Sequence, residues 1–222
     1  MTTAELVQAA SSAVPRQQLA GPSIVALVCS AGGLKALISV LSPLPASFPA
    51  AVIALQHHSP ELPSYLAGIL ARNCALPVSA ARHDAALQAG TVLVVPPGKH
   101  ALVTAGNRIA LISADHSLPY RPSADLLLTS LALVAPRRTI AVILSGLGSD
   151  GATGAVALHD RGGVVIAADK ASSAYFAMAE AAIRRDGAVD HVLPADEIPA
   201  LLISLTRPTR RRMTADDAVT AA

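Results

Sequence analysis

An α/β fold is what this sequence predicts: a doubly wound, mostly parallel sheet with helices on both faces and one β-hairpin. Three observations carry the prediction. Short continuous apolar runs recur along the chain, as strands buried on both faces of a parallel sheet require. Segments with apolar residues at i, i+3, i+4 and i+7 lie between them, the spacing of a helix with one buried face. Strand and helix alternate, and a helical crossover is how two parallel strands are joined.

Residues 24–28 (Ile-Val-Ala-Leu-Val) form the first strand, and 34–41 the next helix, with Leu34, Leu37, Ile38 and Leu41 on one face. A second strand covers 51–55, and a helix 61–71 places Leu62, Leu66, Ile69 and Leu70 together. The strand at 91–95 is stopped by Pro96-Pro97-Gly98. Residues 101–104 and 108–113 flank Ala105-Gly106-Asn107 and read as the hairpin. A helix at 123–135 begins on a capping serine, Ser123. After it come a strand at 139–144, a helix at 150–161 ended by Gly162-Gly163, a strand at 164–167 and a helix at 174–184. A strand at 189–193 and a helix at 195–205 close the series. The set describes a Rossmann-like three-layer sandwich. Residues 1–20 read as an N-terminal linker or short helix and 207–222 as a disordered tail holding Arg210-Arg211-Arg212, so the domain is 21–206.

Composition narrows the function. The 222 residues are 52% hydrophobic and 14% charged, enough for one domain with a sizeable core. Aromatics are 2% and Trp is absent, which argues against base-stacking nucleic-acid modules and aromatic sugar clefts. A formal net charge of +2 points to no polyanionic partner. Cys29 and Cys74 have neither metal-ligand spacing nor a disulfide framework, which fits a reduced, cytoplasmic compartment. Mean hydropathy is high at +0.50, yet no run approaches the ~18 apolar residues of a membrane span. The N-terminal stretch lacks the basic head and apolar segment of a secretory signal.

The chemistry lies just past three strand ends, at the edge where open α/β sheets bind ligands. Ser30-Ala31-Gly32-Gly33 follows the first strand, Gln56-His57-His58 the second, and Ser145-Gly146-Leu147-Gly148-Ser149-Asp150-Gly151 the strand at 139–144. A serine, a histidine and an aspartate therefore meet at one edge: a hydroxyl nucleophile, its general base, and an acid that orients the base. The backbone N–H groups of Ala31, Gly32 and Gly33 are candidates for an oxyanion hole. Simpler readings stand beside these. The diglycine could only make a tight turn, with Ser30 capping the helix. His57 could be bonded to a carbonyl, and Asp150 could cap the helix it begins. The order Ser, His, Asp also differs from the familiar triad orders. His58 is an alternative base, and Cys29 reads as a buried structural thiol. His83, His100, His116, His159 and His191 read as surface or loop residues.

From about residue 23 to 205 the chain resembles the catalytic domain of the chemotaxis protein-glutamate methylesterases, the CheB family. Several elements carry the resemblance: Cys29-Ser30-Ala31-Gly32-Gly33, Gln56-His57-His58-Ser59-Pro60, Pro96-Pro97-Gly98-Lys99-His100 and Arg121-Pro122-Ser123-Ala124-Asp125. Leu144 to Gly151, Ala168-Asp169, and Asp190-His191-Val192-Leu193-Pro194 complete it. The resemblance implies that Ser30 is the nucleophile, His57 the base and Asp150 the orienting acid. It implies hydrolysis of γ-glutamyl methyl esters on the cytoplasmic helices of chemoreceptors, with methanol released, and deamidation of receptor glutamines. It places Leu147 and Arg121 at the substrate groove and requires no metal, cofactor, nucleic acid or membrane insertion. Ala31 stands where the family usually has Thr, Leu147 where it has Met, and Ala177-Met178-Ala179 where it has Gly-Met-Pro. These departures bear on the groove and the turnover rate more than on the reaction class. Family members also carry an N-terminal receiver domain. The roughly 20 residues before the first strand are too few for one, so the sequence reads as a free-standing esterase domain or a truncated one.

Two readings from other classes remain. One is a non-catalytic module of the same fold that binds a receptor or signalling partner. The other is a phosphate or nucleotide binder at residues 30–33, although neither a P-loop Lys-Ser/Thr ending nor a Gly-x-Gly-x-x-Gly is present.

Overall fold

The first apolar run becomes the centre of the sheet. In the computed structural model, which describes residues 21–59, 61–114, 120–185 and 187–207, strand β1 (Ser23–Cys29) pairs in parallel with β2 (Ala50–Gln56) on one side and β7 (Thr139–Ile143) on the other. Each of the six residues 24–29 is fully buried, which is why the run carries no polar residue. Strands β3 (Val78–Ala80), β4 (Val92–Val94), β8 (Val164–Ala168) and β9 (His191–Leu193) complete a seven-stranded parallel sheet in the order β3-β4-β2-β1-β7-β8-β9. A separate antiparallel hairpin joins β5 (Lys99–Val103) and β6 (Ile109–Ser113).

Successive side chains of a strand point to opposite faces, and β1 divides its residues accordingly. Val25, Leu27 and Cys29 pack into one apolar cluster with helices α1 (Gly33–Leu41), α2 (Leu66–Ala71) and α6 (Ile198–Thr206). Ile24, Ala26 and Val28 pack into the other with α3 (Ala124–Val134), α4 (Ala152–His159), α5 (Ala177–Ile183) and the hairpin. Helices thus cover both faces, and each buried Leu or Ile contributes roughly 1.5–3 kcal/mol relative to exposure.

The departures from expectation are local. The helix expected over 61–71 is helical only over Leu66–Ala71. Pro63 disfavours helical backbone at Leu62, so the first half stays irregular. The helices expected at 150–161 and 174–184 are shorter at both ends, and the last one begins at Ile198, next to Pro199. Strand β3 has no counterpart in the sequence pattern: Val-Ser-Ala is too short to show a period, and its pairing with β4 alone makes it an edge. The segment 1–20, residues 208–222 and His116 lie outside the described residues.

Candidate active site

Register brings three strand ends to one place. Cys29 pairs with Gln56 and Val28 with Ile143, so Ser30, His57 and Leu144 are the first residues off one edge. The backbone continues the pairing there: His57 N–H donates to Cys29 O at 3.0 Å, Leu144 N–H to Val28 O at 2.9 Å, and Ser30 N–H to Ser145 O at 2.9 Å. After β1 the chain turns into α1 on one face; after β7 it turns into α4 on the other. The crevice between β1 and β7 is therefore the switch point of the sheet, where such folds bind ligands.

The turn after β1 is held by its neighbours. Gly32 (φ 73°) is the N-cap of α1 and takes a left-handed conformation that suits glycine. A Cβ on it would lie 2.7 Å from Ser145 Oγ and 2.8 Å from Ala174 Cβ. Ser30 is therefore not the cap of this helix. Gly33 N–H donates to Ser30 O at 3.0 Å, closing the turn. Ser145, buried, donates its hydroxyl to Ala31 O at 2.8 Å and accepts Tyr175 N–H at 3.0 Å. This serine ties the Ser30 turn to the segment before α5.

His57 Nε2–H donates to Asp150 Oδ2 at 2.8 Å. Nδ1, the ring's other nitrogen, is buried without a hydrogen-bond partner. Asp150 is 4% exposed and its acceptor capacity is full. Ala124 N–H reaches Oδ2 at 2.5 Å, while Ser123 Oγ–H and Asp125 N–H reach Oδ1 at 3.0 Å each. Asp150 does not cap α4, the helix that follows it. Its carboxylate sits on the N-terminus of α3, and Asp125 of α3 in turn accepts the Gly151 and Gly154 N–H groups of α4 at 2.9 and 2.7 Å. Two helices cap each other through exchanged aspartates. Burial alone would raise the Asp150 carboxyl, but the bonds from His57, Ala124 and Asp125 outweigh it and hold it below the usual range. Asp125 is pushed the other way, by burial first and by the Asp150 charge, against its bonds to Gly154 and Gly151.

Ser30, His57, His58, Ser59, Glu61, Tyr120 and Arg121 line one cleft of about 330 Å³. Of the residues expected at the groove, Arg121 is in this lining, and Leu147 stands 54% exposed on the loop before Asp150. His58 also lines the cleft, with its N–H donated to Arg121 O at 3.1 Å. Burial, and then the charge of His57, lower its pKa and favour the neutral ring. Cys29 is buried, its Sγ 3.5 Å from Leu55 O, and burial pushes its thiol far up, as a structural thiol requires.

The expectation that the remaining histidines lie on the surface or in loops needs correction. His83 is exposed, but His100 is 3% exposed within β5, and its Nδ1 accepts Ser123 N–H at 3.0 Å. His159 ends α4 and His191 begins β9, both half-buried. Sequence reasoning also missed Tyr120, whose ring stacks on His57, and the bond from Ser123 to Asp150. Each spans more than 25 residues and has no local pattern.

A family model, CheB methylesterase, matches residues 25–202. The chain belongs to the CheB methylesterase family. It is 44% identical over 185 residues to a protein-glutamate methylesterase/protein-glutamine glutaminase of Anaeromyxobacter dehalogenans, covering 83% of this chain and 53% of that one. The protein-glutamate methylesterase FrzG of Myxococcus xanthus is 41% identical over 180 residues, covering 81% and 54%. The chain thus spans about half the length of these curated relatives. The CheB methylesterase catalytic domain of Thermotoga maritima superimposes with a TM-score of 0.79 at 35% identity, covering 83% of this chain and 99% of that domain. The doubly wound sheet expected from the sequence is the fold of that family domain.

Proposed function

We propose that this chain is a serine esterase that removes methyl groups from γ-glutamyl methyl esters on the cytoplasmic helices of chemoreceptors, releasing methanol, and that deamidates receptor glutamines at the same site. The observation that carries the reading is the 2.8 Å bond from the Nε2 of His57, which lines one cleft with Ser30, to the buried Asp150. It leaves Nδ1 as the nitrogen available to the serine. Ser30 Oγ attacks the ester carbonyl and its proton passes to His57 Nδ1. The charge formed on the imidazole faces the ionised Asp150. The oxyanion lies against the N–H groups of Ala31 and Gly32, Gly33 N–H being spent on Ser30 O. As the C–O bond to methoxide breaks, His57 returns the proton and methanol leaves. A water then attacks the acyl-enzyme, giving its proton to His57, and the free glutamate and Ser30 are restored. No metal or organic cofactor takes part.

Arg121 and Leu147 flank the receptor segment in this reading, and the enzyme works in the cytoplasm. Among the described residues no helix is long and apolar enough to cross a membrane. The relatives' names, protein-glutamate methylesterase and protein-glutamine glutaminase, support the same substrates. Methanol release from methylated receptor cytoplasmic fragments tests the reading. The wild-type chain should release methanol, and Ser30→Ala should lose several orders of magnitude of rate while remaining folded. A folded Ser30→Ala protein with near-wild-type activity would remove the serine from the mechanism.

A further inference from the structure

We infer that Tyr120 is a positioning residue for the base, its ring fixing the plane of the His57 imidazole so that Nδ1 is presented to Ser30. The inference rests on the reading of His57 as the base. The two rings are stacked with centroids 5.3 Å apart and an interplanar angle of 23°. His57 has one side-chain hydrogen bond, from Nε2 to Asp150. A ring held at one nitrogen can still swing about that point, and the direction of Nδ1 is then unset. A flat face against the imidazole removes that freedom without occupying Nδ1. The face is also the negative part of an aromatic ring, so it favours the positive charge that proton transfer places on the imidazole.

Tyr120 is itself held in place. The phenol end of its ring lies against Gly148 in the loop that leads to Asp150: a Cβ on Gly148 would clash with the phenol oxygen and lie 2.7 and 2.8 Å from Cζ and Cε1. The residues that follow Tyr120 reach the rest of the site. Arg121 O accepts the N–H of His58, and Ser123, Ala124 and Asp125 hold the Asp150 carboxylate. One short segment therefore contacts the base, the residue beside the base, and the acid. The ring, not the hydroxyl, faces His57, so phenylalanine should serve in its place.

The test uses the full chain with Tyr120→Leu and Tyr120→Phe. Methanol release gives kcat and KM, and proton NMR follows the His57 Nε2–H that bonds Asp150. Tyr120→Leu should lower kcat about 10- to 100-fold, the scale of a misplaced catalytic group, with KM within about 2-fold. Its downfield proton resonance should broaden or vanish. Tyr120→Phe should restore both rate and resonance. Tyr120→Met, similar in length and without a ring, takes the place of the leucine variant if that one does not fold. Unchanged kcat and resonance in the ring-less variants would overturn the inference. So would a loss in Tyr120→Phe as large as in Tyr120→Leu, or a change confined to KM. His57→Ala keeps the two readings apart. If it is inactive while Tyr120→Leu is not slowed, only the role of Tyr120 fails; if it stays active, the base assignment fails first.

Discussion

The turn after β1 and the loop after β7 are built alike and used differently. Each leaves a central strand, each enters its helix through a left-handed glycine (Gly32 at φ 73°, Gly151 at φ 97°), and neither helix has a side-chain cap of its own. In the first, the backbone around Ser30 is bonded on both sides, through Ser30 N–H to Ser145 and Ser30 O to Gly33. In the second, it is the side chain that is committed: four groups donate to the Asp150 carboxylate. The difference follows from what each part does in the proposed reaction. A nucleophile must keep its position yet give up a proton and form a bond, so its backbone is held. An orienting acid changes no bond, so the carboxylate itself can be fixed by every donor within reach.

Asp150→Asn attacks that contrast most directly. An amide presents an NH2 where the carboxylate had an acceptor, so it faces either the Ala124 N–H and His57 or the Ser123 hydroxyl and Asp125 N–H. The imidazole loses the partner that fixes its tautomer, and kcat should fall on the order of 10⁴-fold with KM little changed. Stability should fall as well, by about 1–3 kcal/mol for each buried donor left unpaired. The loss should depend on pH in a set direction. The Asp150 carboxyl is held below its usual range in the folded protein, so its contribution is complete above the unfolded value of about 3.9. It is lost as pH falls through the lower folded value. Thermal melts of wild type and Asp150→Asn should therefore differ most near neutral pH and converge in acid. A gap that widened as pH fell would mean that the aspartate is not held ionised.

Gly146→Ala tests the other side, where the backbone is what matters. A Cβ at Gly146 would meet Met178 Sδ at 2.6 Å and Ser30 Cβ at 2.9 Å. The methionine tip can shift, but Ser30 Cβ sits on a turn bonded in two directions. Overpacking of this kind costs about 1–3 kcal/mol. Displacing the nucleophile should add a fall in kcat of up to about 10²-fold. Loss of thermal stability with normal kcat would show that the Ser30 turn tolerates movement and that its backbone bonds do not fix the nucleophile.

What could be read from the sequence follows the range of the interactions. The buried strands were legible because burial on both faces leaves a continuous apolar run, as in residues 24–28 and 139–144. Ser30 and His57 became candidates because each follows such a run within two residues, and Asp150 because it lies in the polar loop after the third; their roles, and the choice of His57 over His58, rest on the resemblance to the CheB family. The surroundings of these residues were not legible. Tyr120 stacks on a ring 63 positions earlier in the chain, and the carboxylates of Asp125 and Asp150 cross between two helices. Nothing local marks such contacts. His100 misled for the same reason: in isolation it is a polar residue after a Pro-Pro-Gly turn, and Ser123, whose N–H its Nδ1 accepts, lies 23 residues further on.

His58→Ala is the smallest change and bears on the end of β2, where two histidines stand side by side. The strand stops at Gln56, so alternation no longer assigns the two rings to opposite faces. Hydrogen bonding separates them instead. His57 is joined to Asp150, while His58 is bonded to Arg121 only through its backbone N–H, and its Nε2 is buried without a partner. Burial and the neighbouring His57 lower the pKa of His58, so near neutral pH its ring is uncharged and adds no field to the site. Alanine keeps the backbone bond and removes an unsatisfied nitrogen, which offsets part of the packing lost with the ring. Methanol release should stay within about 3-fold of wild type, with the pH profile unmoved, because only a group that acts in proton transfer shapes that profile. His57→Ala assayed in parallel should lose most activity. If the two variants exchanged behaviour, His58 would be the base, and Asp150 would be holding a ring that takes no part in the reaction.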